Sequence, residues 1–170
     1  MRGGSIPPFF FAGVFLFADG DIMRHVETAT AGDIPQLVGL LHALFTQEAD
    51  FHPDPARQAR GLAQIIEQPD HGRIFVLREH GEVLGMVSML FSISTALGGP
   101  VAWIEDMVVK PGHRGNGIGS ALLRHTIDFA RDTGLLRLTL LTDIANAQAQ
   151  RFYERHGFER SPMLPMRRVF

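Results

Sequence analysis

Residues 102–109, Ala-Trp-Ile-Glu-Asp-Met-Val-Val, run toward Arg114-Gly115-Asn116-Gly117-Ile118-Gly119-Ser120, and from Ile118 to Arg131 the apolar residues recur at helical spacing. An apolar strand, a glycine-rich turn and a helix, in that order, make an anion cradle. The first N–H groups of a helix have no partner within it, and the helix dipole concentrates positive charge at that end. A side chain at Gly117 or Gly119 would hold a phosphate off the backbone. Arg114 adds a cation at the rim. The guest this turn predicts is a pyrophosphate.

Two common phosphate loops do not fit. A nucleotide-triphosphate loop ends in Gly-Lys-Ser/Thr, whereas Ser120 follows Gly119 with no lysine between them. A dinucleotide fingerprint needs a third glycine three residues after its second; that position is Ser120 counted from Gly115 and Leu122 counted from Gly117. A tight strand-to-helix turn with no ligand is the plain alternative on spacing alone.

The chain of 170 residues suits one domain with a proper core, and its formal net charge of -2 includes no Lys/Arg run. Neither the charge balance nor its distribution suggests a nucleic-acid binder. The sequence contains no cysteine, which excludes disulfides, thiolate nucleophiles and thiolate metal sites. The eight histidines include no His-x-x-x-His pair on a helix to suggest zinc, so no metal is expected. The apolar stretch Phe9 to Ala18 is too short to span a bilayer, and Met23 begins a plausible first strand. The expected organisation is therefore an N-terminal extension, 1–22, outside the fold, and one domain over 23–170; a membrane-directed or secreted leader and an integral packed element are the alternatives for 1–22.

Within that domain, short strands are expected at 26–29, 73–78, 82–91, 102–109 and 135–141, with 158–170 completing the sheet. The pair 73–78 and 82–91 is joined by the hairpin signal His80-Gly81. Asp33 and Pro35 mark the start of a helix whose Leu37, Leu40, Leu41 and Leu44 form one stripe. The segment from Asp50 to Pro55 breaks it, and a second helix covers 56–67. Helices at 118–131 and 147–156 follow, and Gly157 suits a left-handed C-terminal cap. The order β-α-α-β-β-β-α-β-α-β indicates an α/β layer fold.

Arg114-x-x-Gly117-x-Gly119 between the strand 102–109 and a helix, then Asn146, Tyr153, Gly157 and Phe158 at Asn-x(6)-Tyr-x-x-x-Gly-Phe spacing, together resemble the GNAT superfamily of N-acetyltransferases. The resemblance covers residues 23–170. It implies a mixed, mostly antiparallel central sheet of 6–7 strands flanked by about four helices, with the strands 102–109 and 135–141 splayed apart. The longer run Trp-Ile-Glu-Asp-Met-Val-Val-x-Pro-x-x-Arg-Gly-x-Gly-Ile-Gly-Ser is similar to diamine acetyltransferases of the spermidine/spermine and thialysine types. Chain length and the Arg-Phe-Tyr segment are similar to aminoalkylphosphonate acetyltransferases. The sequence after Gly157 departs from the diamine branch, which leaves the acceptor open.

The activity implied is acetyl transfer from acetyl-CoA to a primary amine of a small cationic molecule, by direct attack in a ternary complex. A protein N-terminus or lysine as acceptor, and a non-catalytic acyl-CoA sensor, are the alternatives. A cytoplasmic location and a homodimer also follow from the resemblance, with neither a nucleic-acid nor a membrane partner. The resemblance assigns Tyr153 as proton donor to the departing thiolate; packing as a core aromatic between Phe152 and Phe158 is its structural alternative. It assigns Arg114, Gly115, Asn116, Gly117, Ile118, Gly119 and Ser120 to the pyrophosphate. Met107, Val108 and Val109 would offer backbone groups to the pantetheine arm and the acetyl oxygen. Asn146 would touch that arm or cap the last helix. Phe51, Asp54 and Asp106 would receive the amine, and His52 lies in the same break.

An ammonium must lose a proton before it attacks a thioester. The candidate bases are Glu105 and Asp106. Neighbours in a regular strand face opposite sides, so the two cannot share a pocket unless a bulge breaks the alternation. Glu105 acting through water, with Asp106 drawing in the cation, is the preferred assignment. The roles are exchangeable, and an ion pair with Arg73 or Arg114 is the structural alternative.

Overall fold

Over 72–109 three long strands carry nearly continuous apolar runs, the pattern of strands buried on both faces, and they build the sheet on which everything else packs. The computed structural model describes residues 15–18, 22–46 and 53–170. Its strands are β1 (Phe15–Ala18), β2 (Ile22–Thr28), β3 (Gly72–Glu79), β4 (Glu82–Ser94), β5 (Gly99–Val109) and β6 (Leu138–Leu140). Its helices are α1 (Ile34–Phe45), α2 (Pro55–Glu67), α3 (Ile118–Asp132) and α4 (Ala147–Arg155), with a 3-10 turn at Ala31–Asp33. The strands form one sheet in the order β1-β2-β3-β4-β5-β6. All neighbours are antiparallel except β5 and β6, which α3 joins as a parallel pair.

Each sheet face has its own core. On one, Phe75, Leu77, Val87, Met89, Ala102 and Ile104 pack with Leu122, Leu123 and Phe129 of α3. On the other, Ile74, Val76, Met86 and Val108 pack with Leu37, Leu40 and Leu41 of α1 and Leu62 of α2. The expected α1 stripe is buried at Leu37, Leu40 and Leu41, with Leu44 half-buried at the margin. Asp33 does precede α1, but its side chain does not cap that helix. Its carboxylate accepts instead from the Thr30 backbone and hydroxyl and from Arg78. His80 and Gly81 both take positive φ, 48° and 82°, the backbone a two-residue hairpin requires.

Two boundaries differ from expectation. Phe15–Ala18, inside the segment assigned to an extension, is a strand paired with β2, so the sheet begins before residue 22. Asp19-Gly20, a dipeptide favoured in hairpin connections, was the sequence signal for it. At the other end, 158–170 is not a strand. Pro162 and Pro165 each remove a ladder N–H within four residues, which disfavours strand pairing there. The sixth strand thus comes from the N-terminal side. Also, Gly99 and Pro100 open β5 instead of preceding it.

Leu122 is fully buried where α3 meets the sheet. Leu122→Ala is expected to lower the unfolding free energy by about 2–5 kcal/mol, read from urea denaturation.

Candidate active site

The glycine-rich turn leaves β5 and enters α3 through two left-handed glycines, Gly115 at φ 84° and Gly117 at φ 77°. Gly117 is the N-cap of α3 and supplies no side chain to close the first turn. A helical bond from the turn runs from the Ala121 amide to the Gly117 carbonyl at 2.9 Å, leaving the amides of Ile118, Gly119 and Ser120 ahead of the ladder. A Cβ on Gly115 or Gly117 would project into open space. A phosphate can therefore approach these amides, and a side chain would occupy that approach. The Cβ position of Gly119 lies 3.5–3.6 Å from Phe152, Met107 and Val109, an ordinary contact distance, where α3, α4 and β5 converge.

β5 and β6 pair over only three positions, Ala102 with Leu138, Trp103 with Thr139 and Ile104 with Leu140. β5 then continues to Val109 with β4 on one side and, among the described residues, no strand on the other. This is the expected splay. It opens the β5 edge at Met107, Val108 and Val109 to an extended amide-bearing chain.

The acids sit where the ladder slips. Ser88 of β4 pairs with Asp106 and Met89 pairs with Ile104, so Glu105 is one residue in excess. The excess residue resets the alternation. Ile104 packs on the α3 side, as do Met107 and Val109. Val108 packs on the α1/α2 side, and Asp106 shares that face. Ser88 donates its hydroxyl to the Asp106 carboxylate at 3.0 Å and accepts from the Asp106 amide at 3.1 Å. Burial pushes the Asp106 carboxyl up to about 6; the Ser88 hydrogen bond opposes that shift and the Glu105 charge adds to it. Glu105 is exposed, and its charge reaches Asp106. The bulge thus brings both acids to one region. Among the described residues, neither forms an ion pair with Arg73, Arg114 or any other cation.

Tyr153 lies on α4 against the α3-side core, its hydroxyl 3.8 Å from the Met107 sulfur and its ring edge-on to Phe152 and Phe158. Burial pushes its phenol up to about 12, so it carries its proton throughout the neutral range. α4 is held by its ends. The Asn146 carboxamide oxygen accepts from the Ala149 amide at 3.0 Å, which makes the helix cap its demonstrated role. Gly157 at φ 86° closes the other end, with Gly157 and Phe158 amides bonded to the Glu154 and Tyr153 carbonyls.

Asp54 caps α2, accepting from the Arg57 amide at 3.0 Å and pairing with its guanidinium, and that bonding lowers its carboxyl below the usual range. Phe51 and His52 lie outside the described residues. Sequence reasoning missed Ser88; a lone hydroxyl in the apolar run Met86-Val87-Ser88-Met89-Leu90 was the available signal. It also missed Gln58, 8% exposed on the buried face of α2, whose carboxamide has no hydrogen-bond partner at either end among the described residues.

An anion cradle, a splayed strand pair, a protonated phenol and an elevated carboxyl are the equipment of an N-acyltransferase. The sequence profile of the acetyltransferase (GNAT) family matches residues 34–158, and the chain belongs to that family. It is 31% identical over 139 residues to the aminoalkylphosphonate N-acetyltransferase of Salmonella typhimurium, covering 82% of this chain and 85% of that one. It is 37% identical over 97 residues to the streptothricin acetyltransferase of Streptomyces lavendulae, covering 54% of this chain and 47%, about half, of that relative. Among solved structures, an integron cassette protein from the mobile metagenome of Cole Harbour Salt Marsh superposes with a TM-score of 0.74 at 30% identity, covering 85% and 89% of the two chains. An aminoglycoside acetyltransferase from an uncultured soil sample, solved with sisomicin, has the same fold at a TM-score of 0.72 and 20% identity, covering 86% and 96%. No helix among the described residues is long and apolar enough to cross a membrane.

The Asp106 carboxyl stands above its unfolded value, so folding penalises its ionised form. Its contribution to stability is greatest at acid pH and declines as pH rises from about 4 through about 6. Asp106→Asn escapes that decline. Its unfolding free energy relative to wild type should rise by about 2 kcal/mol across this window, measured by urea denaturation at several pH values.

Proposed function

We propose that this enzyme transfers the acetyl group of acetyl-CoA to a primary amine of a small cationic molecule, by direct attack within a ternary complex. The observation that carries this reading is the meeting of three groups along the unpaired part of β5. The Asp106–Ser88 pair and Glu105 lie on the α1/α2 side, Tyr153 touches Met107 on the α3 side, and the glycine cradle follows at the strand's end. A pyrophosphate on the amides of 117–120, assisted by Arg114 and Asn116, would lay its pantetheine arm along Met107, Val108 and Val109. The backbone amides at this edge are suited to receive the developing oxyanion.

Exposed Glu105 attracts the ammonium. Asp106 takes its proton, because a carboxyl near 6 is ionised at neutral pH yet more basic than an ordinary aspartate. This exchanges the two roles preferred from sequence. The freed amine forms a C–N bond as the C–S bond breaks, Tyr153 gives its proton to the departing thiolate, and the nitrogen's second proton passes through water to restore the phenol. No metal enters the scheme. The family's use of acetyl-CoA and the intracellular supply of that thioester support a cytoplasmic setting, with a homodimer as the working assembly.

Thiol release from acetyl-CoA over a panel of amines tests the proposal directly; release with no amine in the panel would refute it. Tyr153→Phe should lower kcat by about 10- to 100-fold with acetyl-CoA affinity kept, whereas equal loss of both would make Tyr153 structural. Wild-type kcat/KM should rise with pH through an apparent pKa near 6, and Asp106→Asn should abolish that limb. Gly117→Val should abolish acetyl-CoA binding, read by calorimetry on a variant confirmed folded by circular dichroism.

A further inference from the structure

We propose that Trp103 is a specificity-determining residue of the acceptor site, its indole face receiving the cation that Glu105 and Asp106 attract. The inference rests on the acyltransfer reading above and names which amines that site prefers. Trp103 alternates along β5 with Ala102 and Ile104, both of which pack on the α3 side. Its side chain therefore faces the α1/α2 side. The one-residue excess at Glu105 then brings Asp106 back to the same side, so Trp103 and the acids share a face that unbroken alternation would have denied to Asp106. Trp103 and Glu105 are two positions apart, about 7 Å along the strand. That is the span of a short alkylammonium.

The surroundings favour a cationic guest. Trp103, the chain's only tryptophan, is 39% exposed although its neighbours Ala102 and Ile104 are buried. Exposing an indole forgoes burial that the strand gives to the flanking residues, so its open face is available to a ligand. Next to this stretch, exposed Arg137 precedes β6, and its carbonyl accepts from the Ala102 amide; among the described residues its guanidinium forms no ion pair with either acid. On β3, two strands away, Arg73 alternates with Ile74 of the α1/α2 core. It lies instead over the Phe129 ring, 5.7 Å from its centroid, on the other side of the sheet. Neither acid is neutralised by an ion pair among the described residues. An indole beside two unpaired carboxylates attracts an ammonium and repels an anion. The site therefore selects amines that lack an adjoining anionic group, in contrast to the substrate class named for the Salmonella relative.

The test takes the best cationic acceptor from the amine panel and compares it with 3-aminopropylphosphonate, a zwitterion. Wild type should favour the cation. Trp103→Leu should raise KM for the cationic amine by about 3- to 30-fold, leave KM for acetyl-CoA and the thermal midpoint unchanged, and narrow the preference over the phosphonate. Trp103→Phe should retain most of the wild-type preference, since an aromatic face remains. A Trp103→Leu enzyme with wild-type KM and selectivity, or a wild type that prefers the phosphonate, overturns this assignment and leaves acyl transfer standing. A wild type that acetylates no amine overturns both.

Discussion

One surplus residue in a strand governs this molecule. β4 and β5 are hydrogen-bonded over most of their length, and such a ladder normally sends adjacent side chains to opposite faces. At Glu105 the count fails by one. Upstream of that point the even-numbered residues of β5 face α3; downstream the odd-numbered ones do. Asp106 consequently leaves the helix-packed core of α3 and comes to lie beside the Ser88 hydroxyl, with Glu105 close enough to influence its titration. Without the slip, a carboxylate at 106 would point into apolar packing, a costly burial for an ion.

The same strand divides labour between its faces. Met107 and Val109 meet Phe152, Tyr153 and the start of α3, which is the side of the glycine turn. Asp106 and Val108 meet the layer of α1 and α2. The end of β6 after Leu140 leaves the β5 edge between these layers unpaired. One strand is therefore open along its backbone between two differently lined layers, the arrangement on which the acyltransfer proposal rests. The phenol and the carboxyl are both raised by burial, with opposite consequences. At neutral pH the phenol stays protonated and suited to giving a proton, while the carboxyl is largely ionised and suited to taking one.

Much of this was legible in residue order. The strands 73–78 and 82–91, the turn at His80-Gly81, the helix from Ile118 and the cap at Gly157 follow from local periodicity and local backbone demands, and the structure has each within a few residues. The errors lie where long-range pairing decides. Phe15–Ala18 is a strand because β2 offers it an edge, and 158–170 is none, its two prolines working against a ladder.

By itself the sequence determined the element types, the left-handed glycines of the turn and the presence of two adjacent acids in an apolar strand, because these depend on neighbours a few residues apart. It left open whether those acids share a face of the sheet and what packs around each of them. Only the tertiary structure decided these points. Register between β4 and β5 is a property of two strands at once, and desolvation of Asp106 depends on what packs around it. Neither quantity is encoded at any single position.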